Sequence, residues 1–143
     1  MDISGSLQKM WIDDAFPGID HTITSSSTDE YNCIAWAAGD NSAWWSHAAG
    51  YRWPNAKRTP SVESLIEVFV GLGYVACDNA SMEDGFEKVA LYAHGPIWKH
   101  AARQLPSGLW TSKLGPDEDI QHKTPEALTG DYYGVVHCIM RRR

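Results

Sequence analysis

Apolar and polar positions follow two rhythms along this chain. Val62, Leu65, Ile66 and Phe69 recur at i, i+3, i+4 and i+7, the spacing that gathers side chains on one face of a helix. Thr59 stands where a cap belongs and Pro60 at the first helical position, where a missing N–H costs nothing; Gly71-Leu72-Gly73 closes the segment. A shorter helix is predicted at or just before Cys33, in the run Asn32-Cys33-Ile34-Ala35-Trp36-Ala37-Ala38, with Asp29 or Asn32 as cap and Gly39 as terminator. Beyond Gly73 the pattern becomes that of strands, at 74–77, 86–92, 97–105, 109–114 and 132–140, with one helical turn at 124–128. Pro106-Ser107-Gly108 joins two of them as a hairpin, with glycine where a positive φ is wanted. Helices followed by antiparallel strands predict an α+β architecture.

Two stretches lack a rhythm. Residues 1–30 read as an irregular N-terminal segment with a turn at Pro17-Gly18. Residues 40–58 read as a long loop carrying Trp44, Trp45, Tyr51 and Trp53. Such a loop either folds over the core by its aromatics or forms a substrate-binding wall.

Composition narrows the function classes. A chain of 143 residues is expected to form one domain. Seven Trp, six Tyr and three Phe supply enough apolar surface to exclude disorder. No apolar run approaches the ~20 residues of a membrane helix, and Met1–Asp14 lacks the basic start and apolar run of a signal peptide. A cytoplasmic protein with no membrane partner is the expectation. A net charge of −6 argues against nucleic acid as partner, the only basic run being Arg141–Arg143. Three scattered cysteines make a poor disulfide framework, and no CxxC or HxxxH spacing supports a metal site, so neither metal nor cofactor is expected.

Cys33 stands apart from Cys77 and Cys138, which look like core residues of strands. A thiol at a helix start lies near the positive end of the helix dipole and beside unpaired amides, which favour thiolate and can hold an oxyanion. Its base must come from an element packed against that helix start. His100, in Trp98-Lys99-His100-Ala101-Ala102, sits on a strand among small neighbours that leave its face open. His137 points away from Cys138 by strand alternation, so those two cannot pair. If the 106–108 loop has three residues, Leu105 faces Leu109 and Ala102 faces Ser112, which puts Ser112 on the face of His100, diagonal to it. A two-residue loop would put Thr111 there instead.

Together these residues resemble a family, the NlpC-type branch of the papain-like cysteine peptidases and amidases. Tyr31-Asn32-Cys33-Ile34-Ala35-Trp36 looks like its aromatic–acid–Cys–small–Gly–apolar nucleophile motif. Val89-Ala90-Leu91-Tyr92 matches its apolar strand. His100, Gly108 and Ser112 match its catalytic histidine, the turn, and a third polar residue twelve places after the histidine. Asn32 stands in place of the usual acid, Ala35 in place of Gly, and Ser27 where papain-type enzymes have glutamine.

The resemblance implies a papain-like core, N-terminal helices packed on an antiparallel sheet. It also implies a Cys33–His100 pair that cleaves peptide bonds in a protein substrate. The third catalytic group is Ser112, a carboxylate from Asp117-Glu118-Asp119, or none. Tyr31 and Asn32 are candidates for a further oxyanion donor, and Trp44 and Trp53 for substrate contacts. By family analogy the protein is an interbacterial effector delivered into a target cell and held by a cognate inhibitor. The alternatives are a cell-wall peptide amidase and a non-catalytic module that binds partners through the 44–53 aromatics.

Overall fold

The computed structural model describes Ile12, Phe16 and residues 21–114 and 117–143. The turn expected at Pro17-Gly18 lies outside them. The described elements are β1 (His21–Ser25), α1 (Cys33–Ala37), α2 (Val62–Gly71), β2 (Val75–Cys77), β3 (Glu87–His94), β4 (Ile97–Gln104), β5 (Trp110–Lys113), β6 (Asp119–His122), a 3-10 turn (Pro125–Leu128) and β7 (Val135–Arg142). The strands form one antiparallel sheet in the order β1-β6-β5-β4-β3-β7-β2.

This corrects the expected architecture. The described residues are mostly a seven-stranded sheet with two short helices, of five and ten residues, and not a papain-like core built on N-terminal helices. Two strands account for the difference. β1, His-Thr-Ile-Thr-Ser, is largely exposed at the sheet edge and lacks the alternation that marks a half-buried strand. Its partner β6 follows directly on the charged residues 117–118 and reads as solvated loop, yet Asp119, Ile120 and His122 are buried.

Elsewhere the boundaries shift by a few residues. α2 is capped by Ser61, whose hydroxyl accepts from Ser64 N, rather than by Thr59. The three-residue hairpin is present: Leu105 N donates to Leu109 O, and Arg103 pairs with Thr111.

Both sheet faces are covered. α1, α2 and the 40–58 loop pack on one face, against Val89, Leu91, Ala101 and Met140. Ile12, Phe16, Leu128 and Tyr133 pack on the other, against Ala90, Tyr92, Ala102, Trp110 and Ile120. The 40–58 aromatics act mainly as core: Trp45 and Trp53 are buried, and Trp53 stacks on Trp98 at 5.6 Å.

The β4–β5 junction positions the candidate site. β5 pairs with β4 only at Gln104 and Arg103, then runs on beside β6. α1 packs against both strands around this junction. Trp36 Nε1 donates to Thr111 Oγ1 at 3.0 Å, and the Arg103 guanidinium lies over the Trp36 ring.

Candidate functional site

α1 starts at Cys33 because Asn32 caps it. Asn32 Oδ1 accepts from Ala35 N and from Trp45 N, and its Nδ2 donates to Trp45 O at 2.7 Å. One buried amide therefore ties the helix start to the aromatic loop. These bonds engage both ends of the Asn32 side chain as the tie between the two segments. Tyr31 is similarly engaged: its hydroxyl donates to Asp119 Oδ2 at 2.8 Å, and burial with that carboxylate raises its pKa. Trp53 Nε1 donates to Lys57 O, so that indole is also satisfied within the chain, and Trp44 is half-buried.

The Cys33 thiol is held at the junction. It is 7% exposed and receives backbone N–H groups from Ala101, Ile34 and Cys33 itself. Those amides and the Lys113 ammonium favour the thiolate, but loss of water outweighs them and pushes the thiol up to about 11. The sequence pointed to the opposite shift, because helix position says nothing about how deeply the thiol is buried. Lys113 is itself wholly buried; its ammonium donates to Thr28 O and Asp117 O and lies over the Tyr31 ring.

His100 lies next to Ala101, the residue that donates to Cys33. It is fully buried, and among the described residues neither Nδ1 nor Nε2 has a hydrogen-bond partner. Tyr133 stacks on the ring at 4.1 Å and 8°, and Tyr92 meets it edge-on at 5.0 Å. Burial, then the neighbouring His122, holds the imidazole well below its usual value. Strand alternation turns His100 towards the Tyr92 face and Ala101 towards the helix face, and no hydrogen bond joins Cys33 to His100. What the two share is the Ala101 backbone and Tyr133, whose phenol is raised well above its usual range by burial and then by Cys33.

Ser112 lies on the His100 face, yet it bonds elsewhere. Its hydroxyl meets His122 Nε2 at 2.8 Å, and His122 Nδ1 meets Thr124 O at 2.8 Å. Burial drives His122 down to about 4. Each carboxylate has one oxygen engaged and one buried without a hydrogen-bond partner among the described residues: Asp119 Oδ2 accepts from Ser25 and Tyr31 and Glu118 Oε1 from Ser27 at 2.7 Å, while Asp119 Oδ1 and Glu118 Oε2 have none. Asp117 offers its backbone carbonyl to Lys113. His122, Tyr133 and Lys113 were not singled out from the sequence. The signal available was weak, a histidine one alternation step beyond Ile120 and a lysine one step beyond Thr111.

The other cysteines sit apart. Cys77 and Cys138 are partly exposed, and Cys77 Sγ donates to Asn79 O. Among the described residues no group of His, Cys, Asp and Glu is arranged to hold a metal ion, and no helix is long and apolar enough to cross a membrane. A cleft of about 420 Å³ lies away from Cys33, between Met82, Phe86, Arg103, Leu105 and Arg143.

Fold and site thus define an antiparallel-sheet protein with a buried thiol and a buried, unpartnered imidazole at a strand junction. The sequence pattern of a domain of unknown function, DUF7689, matches residues 22–141, and the chain belongs to that family. The match runs from β1 to β7 and includes both Cys33 and His100. No curated protein and no solved structure matches the chain.

Proposed function

We propose that this protein is a cysteine hydrolase of amide bonds, with Cys33 as nucleophile and His100 as general base. The observation that carries the reading is His100: a fully buried imidazole with no hydrogen-bond partner among the described residues, stacked on Tyr133, whose phenol Cys33 also influences. An unpaired buried polar group costs about 1–3 kcal/mol, so a fold that keeps one has a use for it. The burial that disfavours charge on both groups keeps the resting pair as neutral thiol and neutral imidazole.

In this reading His100 takes the Cys33 proton through the gap where β5 leaves β4, beside the Tyr133 that both groups share, as sulfur attacks the amide carbonyl. The tetrahedral oxyanion collapses, the C–N bond breaks, and the amine leaves with the proton from His100. Water, deprotonated by His100, then cleaves the thioester, releasing the carboxylic acid and restoring the thiol. The substrate class, a peptide amide, comes from the resemblance of the Cys33 and His100 segments. Tyr133 lies flat on His100, and Gly130 and Gly134 close its turn with two reciprocal hydrogen bonds. Substrate gains the imidazole by lifting that turn.

The test is acyl-enzyme trapping with a peptide thioester, read by intact mass and peptide mapping. The acyl group is expected on Cys33, and to be absent in Cys33→Ala and His100→Ala. Acylation confined to the more exposed Cys77 and Cys138 would contradict the reading.

A further inference from the structure

Four arginines gather where β3 begins and β4 and β7 end, and they are of two kinds. Arg141 is neutralised by Glu83, its Nη1 lying 2.5 Å from Oε2. Arg142 is neutralised by Glu87, with Nε and Nη2 each 2.9 Å from Oε2, and its Nη1 donates to Leu72 O. Arg103 and Arg143 have neither a carboxylate nor a hydrogen-bond acceptor among the described residues. Each lies instead against an aromatic ring, Arg103 over Trp36 at 5.1 Å and Arg143 over Phe86 at 4.6 Å. Arg103 Nε is buried and donates to nothing. A buried donor without an acceptor is uncommon, and it marks a place where an acceptor from outside the chain belongs.

Both unpaired arginines line the cleft of about 420 Å³, together with Met82, Phe86 and Leu105. That volume falls within the ~300–1,000 Å³ of small-molecule sites, which are mostly apolar with a few converging polar groups. Glu87 also lines the cleft, but Arg142 and the Tyr74 hydroxyl occupy its Oε2. The charge left uncompensated there is positive. A guanidinium presents a planar fork that meets a carboxylate with two parallel N–H···O bonds. A phosphate ion would lose its water to the thioether, phenyl and leucine walls and regain too few donors, whereas those walls favour hydrocarbon.

We propose that this cleft binds a small carboxylic acid with an apolar body, its carboxylate held by Arg103 and Arg143 and its hydrocarbon laid on Phe86, Met82 and Leu105. The site is separate from Cys33 and does not depend on the hydrolase reading. Arg103 is its anchor. The Arg103 backbone is paired on both sides, with Val89 and with Thr111, and Trp36, which backs the guanidinium, is fixed by its own bond to Thr111 Oγ1. A donor held in this way loses little freedom when it binds. Arg143, exposed beyond the end of β7, supplies the second charge.

Titration of the full chain with phenylbutyrate tests this, with affinity read by calorimetry and location by the Trp36 indole N–H resonance, whose ring carries Arg103. The expected result is saturable binding that shifts this resonance and weakens with added salt. Phenylbutyramide, which has the same body without the charge, and inorganic phosphate, which has the charge without the body, are expected to bind far more weakly. Arg103→Gln is expected to cost about 10- to 100-fold in affinity, the equivalent of a hydrogen bond to a charged group. Arg143→Gln, at an exposed position, is expected to cost about threefold, as for a solvent-exposed ion pair. If Arg103→Gln fails to fold, Arg143→Gln and the comparison of acid with amide decide. Absence of saturable binding up to the solubility limit of the acid, equal affinity for acid and amide, or affinity unchanged in the folded variants overturns the proposal. Tighter binding of inorganic phosphate, or of an acetylated peptide ending in a free phenylalanine carboxylate, overturns the assignment to a small acid.

Discussion

At the scale of single residues, the sequence marks where chemistry is possible but not its ionisation state. Cys33 and His100 are legible because a capped run of small residues and a strand among alanines each leave one reactive side chain exposed to suspicion. Their burial is not legible, and burial decides the sign of both shifts. Asn32 makes the same point: it looks like a replaced acid, and is a cap bonded on both sides. Asn32→Ala removes three buried hydrogen bonds from the start of α1. It should cost about 2–3 kcal/mol by urea unfolding, the upper end for a lost cap that strands its partners.

At the scale of elements, the helices, β3, β4, the hairpin and β7 were legible, because each has a strong period or a turn glycine. β1 and β6 were not. β1 is an edge strand whose polar residues face solvent. β6 follows acidic residues whose bonding partners lie more than eighty positions away, as in Ser25 and Tyr31 on Asp119 and Ser27 on Glu118. Non-local pairing of that kind leaves no local pattern to read. The turn that seats Tyr133 on His100 is equally invisible from the sequence, yet sharply defined. Gly134 has φ 77°, and an added Cβ would lie 2.1 Å from the Ala93 carbonyl oxygen. Gly134→Ala should therefore destabilise by at least about 2 kcal/mol, combining backbone strain with a backbone clash. It should also shift the His100 ring resonances as Tyr133 moves, and unchanged His100 resonances would contradict the stacking.

At the scale of the whole molecule, two buried neutral histidines tie stability to pH. Both have folded values below the unfolded one, His122 at about 4. As pH falls below about 6.5 the unfolded chain binds protons that the folded chain refuses, so stability is lost in acid. Each histidine contributes a slope approaching about 1.4 kcal/mol per pH unit. Urea unfolding between pH 7.5 and 5 should show this decline, and His100→Leu should remove about half of the slope. A stability independent of pH over that range would mean the two rings are not buried as described.

Cys33 responds at the other end, and its reactivity tests the central claim most directly. Neutral thiol–imidazole and thiolate–imidazolium are two proton arrangements of one pair, so the reactive minor form has a constant population between the two titrations. Iodoacetamide alkylation of Cys33, followed by mass spectrometry across pH, should accordingly show a flat rate from about pH 6.5 to about pH 9, then a rise towards the thiol's own ionisation near 11. His100→Ala should abolish the plateau and leave a rate climbing tenfold per pH unit throughout, as expected of an isolated buried thiol. A parent profile already climbing in that way, unchanged by His100→Ala, would contradict the pair and with it the hydrolase.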